Sequence, residues 1–347
     1  MAAVRPRDAA AELAARERLD RMTKPPGSLG ALEDVAAQLA GIAGSCPAPL
    51  PTPATVAVFA GDHGVHAQGV TPWPQEVTAQ MVANFLAGGA VVNAFAAGVR
   101  AEVVVVDVGV ATPLEPAPGL LERTVRRGTA DLSTGPAMTL DEARRAVEAG
   151  VQVAWELAGT AGCLVTGDMG IANTTPSAAL VCAFTGADAA AATGRGAGID
   201  QAMLRHKVDV VRRAVARLPR RPATPDDALA ALAEVGGLEH AAIAGFVLGA
   251  AAARTPVLLD GVIAGSAALV AAALCPTAIE HVIAGHSSAE PGHALALAHL
   301  GLRPLLGLDL RLGEGTGALL ALPLVTSAAR ALRDVATFDS AGVTEKN

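Results

Sequence analysis

The chain has 347 residues and a formal net charge of −7 at pH 7, and hydrophobic residues make up 52% of it. The apolar fraction is mostly Ala, Val and Leu, because the sequence holds only 6 Phe and 2 Trp and no Tyr. This composition excludes intrinsic disorder, which needs low hydrophobicity and high net charge. The acidic balance and the scarcity of aromatic rings also argue against a nucleic-acid-binding protein.

One uncharged run, residues 261–279, is long enough to cross a bilayer. It is rich in Gly and Ala, contains Pro276 and has neither an aromatic belt nor a flanking basic cluster, so we interpret it as a buried helix. Residues 1–21 are charged and do not resemble a secretion signal. The 4 cysteines form no C-x-x-C pair, which predicts no zinc site and no disulfide framework. We therefore expect a cytoplasmic protein that does not enter a membrane.

The start of the chain predicts two helices and a linker. The helices are expected over residues 8–22 and 31–43, separated by the stop signal at 24–28. Alternating prolines at 46–53 favour extended chain, so this stretch is interpreted as a linker.

After the linker, short β-branched runs alternate with longer Ala-rich stretches. This alternation is typical of βαβ units and predicts a parallel sheet covered on both faces. The end of the chain predicts a helix over 315–333, interrupted near Pro323. The predicted strands are 55–60, 102–107, 162–166, 256–259 and 280–284.

A polar group follows each predicted strand. Ligands of open parallel sheets bind beyond the carboxyl ends of the strands, so this edge is a candidate site. The alternative is that Asp and Gly simply make good turns, which explains one or two of these groups more easily than all of them. The groups are 62–63, Asp107, Asp168, Asp260 and 286–288.

Residues 166–176 run from a strand through a tight turn into a helix. Asn173, Thr174 or Thr175 could cap that helix, whose free N–H groups favour an anion. An ordinary capped helix start would give the same pattern.

Residues 193–200 hold three glycines and Arg195, a composition that suits close backbone approach to a phosphate. Lys207 follows and could add a cation. No strand precedes these glycines and the spacing is not G-x-G-x-x-G, so a dinucleotide fingerprint is absent. A flexible surface loop is the alternative interpretation.

Glu314 lies among glycines in the mostly apolar stretch 311–317, which makes it a candidate general base. Burial would raise the pKa of its carboxyl group toward the neutral range in which a general base works. A charged turn residue exposed to water is the alternative.

A metal-dependent hydrolase or phosphatase built on Asp62, His63 and His66 is a second hypothesis. Its spacing matches no metal signature. A third hypothesis is a nucleotide sensor without catalysis, in which Glu314 is only a turn residue. Residues 103–109 carry one acid, Asp107, where a magnesium-diphosphate ribosyl donor needs two adjacent acids, so such a donor is not expected.

Ten segments, in order along nearly the whole chain, resemble the nicotinate-nucleotide–dimethylbenzimidazole phosphoribosyltransferase family of cobalamin lower-ligand assembly. No single segment is decisive, but the ordered set is specific. The segments are 24–30, 61–65, 74–81, 135–138, 167–176, 207–213, 235–237, 258–261, 287–290 and 311–315.

The resemblance implies an α/β fold with a Rossmann-like parallel sheet flanked by helices and a small all-helical domain formed by both chain termini. The small domain would comprise 1–48 and 320–347, and the large substrate-binding domain 49–319. It also implies a homodimer whose cleft borrows from the partner subunit, with no cofactor and no metal.

The resemblance further implies transfer of the 5-phosphoribosyl group of nicotinate mononucleotide to 5,6-dimethylbenzimidazole, with inversion at C1′ and Glu314 as the base. Adenine or a phenol as the acceptor stays open. The implied nucleotide and phosphate contacts are Asp168, Gly170, Asn173, Thr174, Thr175, Gly194, Gly196, Lys207, Asp260 and Ser287. The implied base-binding residues are Trp73, Pro74, Met81, Met169 and Leu312.

The sequence departs from the family pattern at two of these positions. The family often carries Glu where this chain has Asp168, whose side chain is one methylene shorter. Trp73 occupies a position where a small polar residue occurs in relatives, which leaves the specificity for the acceptor base open.

Overall fold

The computed structural model describes residues 4–219 and 221–344. In this part of the chain six strands form one parallel sheet, and two short strands pair separately. The strands of the sheet are β1 Ala54–Gly61, β2 Glu102–Gly109, β3 Leu120–Glu122, β4 Cys163–Met169, β5 Val257–Leu259 and β6 Val282–Ala284, and the separate pair is β7 His286–Ser287 with β8 Leu306–Gly307.

Helices surround the sheet, and two 3₁₀ segments, Gly64–Gln68 and Pro276–His281, accompany them. The α-helices are α1 Ala9–Arg21, α2 Ala31–Ala43, α3 Val77–Leu86, α4 Val91–Val99, α5 Leu140–Ala158, α6 Thr174–Thr185, α7 Ala189–Ala192, α8 Gln201–Val215, α9 Pro225–Val235, α10 Leu238–Ala252, α11 Val262–Leu274, α12 Pro291–Leu300, α13 Thr316–Asp334 and α14 Phe338–Ala341.

The strand order β3-β2-β1-β4-β5-β6 is that of a doubly wound Rossmann-like sheet, which confirms the predicted fold class. Every residue of β1 is buried, and alternate side chains enter two different cores. Ala57 and Phe59 pack on one face, whereas Val56 and Val58 pack on the other. Helices therefore cover both faces of the sheet, as the continuous apolar strands predict.

The predicted strands are confirmed, with changes of boundary and one omission. β2 continues to Gly109. β4 continues to Met169 because residues 167–169 pair with β1, so Asp168 lies inside the strand. β6 begins at Val282 because the preceding residues form a 3₁₀ turn. The three-residue β3 was not predicted.

The two ends of the described chain pack together on one face of the sheet. The Nε atom of Arg18 donates to the carbonyl of Leu332 over 2.6 Å, and Met22 bridges to Thr337. The division into domains at 48/49 and 319/320 stays a prediction, and its second boundary falls inside α13.

The predicted interruption of the last helix is wrong, because α13 runs through Pro323 without a break. Pro323 lies on the exposed side of α13, while Leu322 and Val325 are buried on either side of it. Packing of this buried side holds the helix together despite the missing N–H donor.

The run interpreted as a buried helix is confirmed as α11, whose residues from Val262 to Ala271 are buried. By length and composition alone, residues 77–99 could cross a membrane. This segment is two helices, α3 and α4, separated at Gly88 by a left-handed backbone conformation (φ 77°). We interpret these two helices as apolar surface of the folded protein rather than as one membrane-spanning helix.

Candidate active site

A cavity of about 360 Å³ opens where the chain reverses its direction of winding, between β1 and β4. Its walls come from segments that follow β1, β4, β5 and β6. This is the place at which doubly wound sheets bind their ligands. Of the polar groups predicted at the strand ends, Asp168, His286 and Ser288 line this cavity, whereas residues 62–63, Asp107 and Asp260 do not.

Most of the predicted site residues meet in this cavity. Those that line it are Trp73, Met81, Asp168, Met169, Gly170, Asn173, Thr174, Gly196, Lys207, Leu312 and Glu314. The predicted residues outside the lining are Pro74, Thr175, Gly194, Asp260 and Ser287.

Glu314 is only 5% exposed and lies in a turn of three successive left-handed residues with Gly313 and Gly315. Its own φ of 64° is unusual for a residue other than Gly and stores backbone strain. The backbone N–H of Val92, at the start of α4, donates to Oε2 over 3.2 Å. Burial, assisted by the charge of Asp260, raises the pKa of Glu314 despite this hydrogen bond. Such a carboxylate is suited to accept a proton near neutral pH.

Asp260 supports the turn that carries Glu314. Its two carboxylate oxygens accept from the backbone N–H groups of Gly315 (3.2 Å) and Ala318 (3.0 Å), at the start of α13. The Nε2 atom of His286 lies 3.3 Å from Oδ1. The carboxylate of Asp260 thus holds the strained turn in place, and its predicted contact with a nucleotide stays a prediction.

Asp168 faces the same turn, because a Cβ on Gly313 would lie 3.0 Å from both of its carboxyl oxygens. Asn173 Nδ2 donates to Oδ2 over 2.9 Å, while Oδ1 has no hydrogen-bond partner among the described residues. Burial, and then the nearby Asp260, raises the pKa of Asp168 well above its usual value. The unpartnered Oδ1 atom is a candidate hydrogen-bonding group for a ligand in the pocket.

Lys207 brings a buried cation to the pocket, and it is only 2% exposed. Its Nζ donates to Thr174 Oγ1 (2.7 Å) and to the carbonyl of Gly194 (3.2 Å), so it joins the start of α6 to the glycine-rich loop. Burial lowers the pKa of Lys207 to about 8, although Glu290 opposes this shift.

Glu290 and Arg311, which the sequence analysis did not name as site residues, hold the glycine-rich loop against Lys207. Glu290 Oε1 accepts from the N–H of Gly196 over 2.7 Å, and Arg311 Nη1 donates to its carbonyl over 3.1 Å. A side chain on Gly194 would clash with Glu290. Glu290 and Arg311 lie in the segments 287–290 and 311–315, so those motifs already contained the signal.

The rest of the lining is apolar. Trp73 and Leu312 lie at the rim and are 48% and 52% exposed, and Val77, Met81 and Met169 continue the surface inward. This combination of a flat apolar surface with a polar, cationic wall suits a ligand that carries both an aromatic ring and a phosphate.

The structure does not favour the metal-dependent hydrolase. Asp62 and His63 are buried, and Asp62 Oδ2 is taken by the N–H of Ala111 at 2.8 Å. His66 instead contacts the carbonyl of Trp73 at 2.9 Å. Among residues 4–219 and 221–344, no three His, Cys, Asp or Glu side chains come together in a way that could hold a metal ion.

The doubly wound sheet, the glycine-rich loop beside a buried lysine, and the sheltered acid define an α/β enzyme that acts on a nucleotide. A family model described as Phosphoribosyltransferase matches residues 4–343, and the chain belongs to this family.

Curated relatives and a crystal structure cover almost the whole chain. The nicotinate-nucleotide–dimethylbenzimidazole phosphoribosyltransferase of Salinispora tropica is 60% identical over 99% of this chain and 98% of its own length. The enzyme of the same name from Chloroflexus aurantiacus is 51% identical over 98% and 96%. The crystal structure of the enzyme of that name from Thermus thermophilus superposes with a TM-score of 0.92 at 49% identity, covering 98% of this chain and all of that one.

Proposed function

We propose that the protein transfers the 5-phosphoribosyl group of nicotinate mononucleotide to 5,6-dimethylbenzimidazole, giving α-ribazole 5′-phosphate and nicotinate. The observation that carries this proposal is the sheltered Glu314 carboxylate, which lines a pocket that has both a phosphate-binding wall and an apolar wall. The relatives named for this reaction support it over nearly the full chain.

The donor nucleotide is assigned to the polar wall. Lys207, the backbone of Gly196 and the start of α6 would hold its phosphate, because helix N-termini and ammonium groups both attract anions. Asp168 and Asn173 would face the ribose, with the unpartnered Oδ1 of Asp168 free to bond a hydroxyl group.

The acceptor base is assigned to the apolar wall. Trp73, Met81, Met169 and Leu312 offer a surface against which a flat bicyclic ring can pack, and Glu314 lies in the same cavity. Adenine or a phenolic acceptor remains an outcome to be tested on this surface.

The chemistry requires one base. The bond between C1′ and the pyridinium nitrogen breaks, and its electron pair neutralises the departing ring, so no acid is needed. A ring nitrogen of the acceptor attacks C1′ from the opposite face, which converts β into α configuration. The acceptor is then cationic, and the proton on its other nitrogen passes to Glu314. Alignment of the two rings in the cavity contributes much of the remaining acceleration.

The same proposal includes a cytoplasmic homodimer. The 4 cysteines are free, as expected in a reducing compartment.

Helices α3 and α4 leave apolar surface uncovered, with Val91 41% exposed, and α3 contributes Val77 and Met81 to the cavity. A second copy packed on this surface would adjoin the site. Sedimentation should therefore give a mass of two chains, and Val91→Asp should give one.

The test of the reaction is to incubate the protein with nicotinate mononucleotide and to offer dimethylbenzimidazole, adenine and a phenol together. We expect α-ribazole 5′-phosphate and nicotinate in equal amounts, with dimethylbenzimidazole consumed first. Tight binding of the nucleotide without any product over hours would instead support a sensor, and consumption of another base would reassign the acceptor.

The pH dependence follows from two shifted groups. Glu314 must be ionised to accept a proton. Because its pKa is raised, the apparent pKa on the acid side of the kcat/KM profile should lie above 4.5, the usual value for a Glu carboxyl group. Lys207 is cationic below about pH 8 and loses its charge above it, so donor binding should weaken on the alkaline side. The substrate phosphate is a dianion above a pKa of about 6. Calorimetric Kd values for nicotinate mononucleotide should therefore rise between pH 7 and 9 in the wild type. They should not change in Lys207→Met, and a parallel rise in that variant would exclude Lys207 as the cause.

A further inference from the structure

A buried charged cluster lies behind the wall of the cavity and is not used by the proposed chemistry. His63, Glu239 and His240 are all 0% exposed. Oε1 of Glu239 lies 2.8 Å from Nε2 of His63 and 2.9 Å from Nδ1 of His240. Burying such groups is costly unless they are paired. The two histidines outweigh the effect of burial and lower the pKa of Glu239.

Glycines make room for this cluster beside the pocket. A Cβ on Gly237 would come within 2.5 Å of the His63 ring and 2.7 Å of Glu239 Oε2. Gly170, which lines the cavity, would place a Cβ 3.2 Å from His63 Nε2. His63 is therefore separated from the ligand space by little more than one peptide unit.

The cluster is connected to the cavity through Ser177. The hydroxyl of Ser177 donates its one proton to the carbonyl of Asn173 at 2.9 Å. Nε2 of His240 lies 2.8 Å from the same hydroxyl oxygen, and Glu239 lies beside Nδ1 on the far side of the ring. The Ser177 hydroxyl therefore contacts both His240 and Asn173.

Asn173 is the point at which this chain of contacts meets the ligand space. Its carbonyl accepts from both the hydroxyl and the N–H of Ser177, at 2.9 and 3.1 Å. Its side chain donates to Asp168 Oδ2 and leaves Oδ1 unpartnered. The preceding Ala172 has a φ of 76°, a strained conformation that the surroundings must hold in place.

We propose that Glu239, His240 and Ser177 form a buried positioning relay that fixes Asn173 and, through it, the free carboxyl oxygen of Asp168 in the cavity. His63 anchors Glu239 from the opposite side. The inference relies on the proposed function only in treating Asp168 as a contact for the donor nucleotide. The relay residues touch no substrate and act through Asn173.

A double-mutant cycle tests the relay. Ser177→Ala and His240→Gln should each lower kcat/KM for nicotinate mononucleotide about tenfold and leave the KM of the acceptor unchanged. In an Asp168→Ala background the same substitutions should cost less than about twofold, because the group that they position is gone. Equal losses in both backgrounds, or no loss with Asp168 present, would overturn the relay.

Cys182→Ala is the matched control, because Cys182 is also buried on α6 but lies outside the relay. It should change kcat/KM less than about twofold. Nitrogen-15 NMR spectra of the histidines give a second measurement, which needs no turnover. This measurement decides the proposal if the Ser177 variant does not fold. Asp168→Ala should shift the ring resonances of His240, and unchanged resonances would contradict the relay. A wild-type protein without product but with this shift would refute the proposed function alone.

Discussion

Replacing Glu314 with Gln is expected to lower kcat by a factor of about 10²–10⁴, the usual contribution of a general base. The amide has nearly the same size and can still accept from the N–H of Val92, but it cannot take the proton that the acceptor releases. Both substrates should bind with Kd values within about threefold of the wild type, because the shape of the cavity is kept.

Single-turnover kinetics together with calorimetric titration of each substrate separates these effects. Glu148→Gln, on the exposed side of α5, is the control for loss of a carboxylate charge and should leave kcat unchanged. A Glu314→Gln variant that turns over at nearly the wild-type rate would remove Glu314 from its assigned role.

The second large effect is expected from Lys207→Met, which should raise the Kd of nicotinate mononucleotide about 10–100-fold. The ammonium group is assigned to the phosphate, and charge-assisted hydrogen bonds are worth more than neutral ones. The acceptor is assigned to the apolar wall rather than to this group, so its Kd should change less than about twofold.

The fold of this variant is checked independently of its affinity for the donor. Met has a similar length and is apolar, so it fills the space of the buried lysine side chain. The variant also loses the hydrogen bonds to Thr174 and Gly194 and the charge that faces the buried Glu290, so its thermal unfolding is measured beside the titration to show that it is folded. A variant with unchanged donor affinity would show that the phosphate binds elsewhere.

The sheet was predictable because apolar periodicity is a local property. The runs at 55–60 and 102–107 are long and β-branched, and each became a fully or largely buried strand. The three-residue β3 has too few residues to show a period, and pairing with β2 alone defines it. The extension of β4 to Met169 likewise depends on its pairing with β1, which no local pattern of glycine and aspartate shows.

The site was partly predictable for the same reason. Glu314 was predicted because it lies among glycines in an apolar stretch, and Lys207 because it follows the glycine-rich residues 193–200 and could add a cation. Glu239 and His240 resemble two surface residues at the start of an Ala-rich helix, and only the packing of α10 against the end of β1 shows them to be buried. The role of Asp260 was assigned by its place after a strand, whereas its hydrogen bonds at α13 depend on contacts across 55 and 58 residues of sequence.

The most direct measurement is a crystal structure of the protein with bound dimethylbenzimidazole. Glu314 should lie within about 2.6–3.2 Å of one ring nitrogen, with the other nitrogen directed toward the polar wall around Lys207. A ring seated outside the apolar wall, or a Glu314 carboxylate turned toward bulk water with the base in place, would contradict the account.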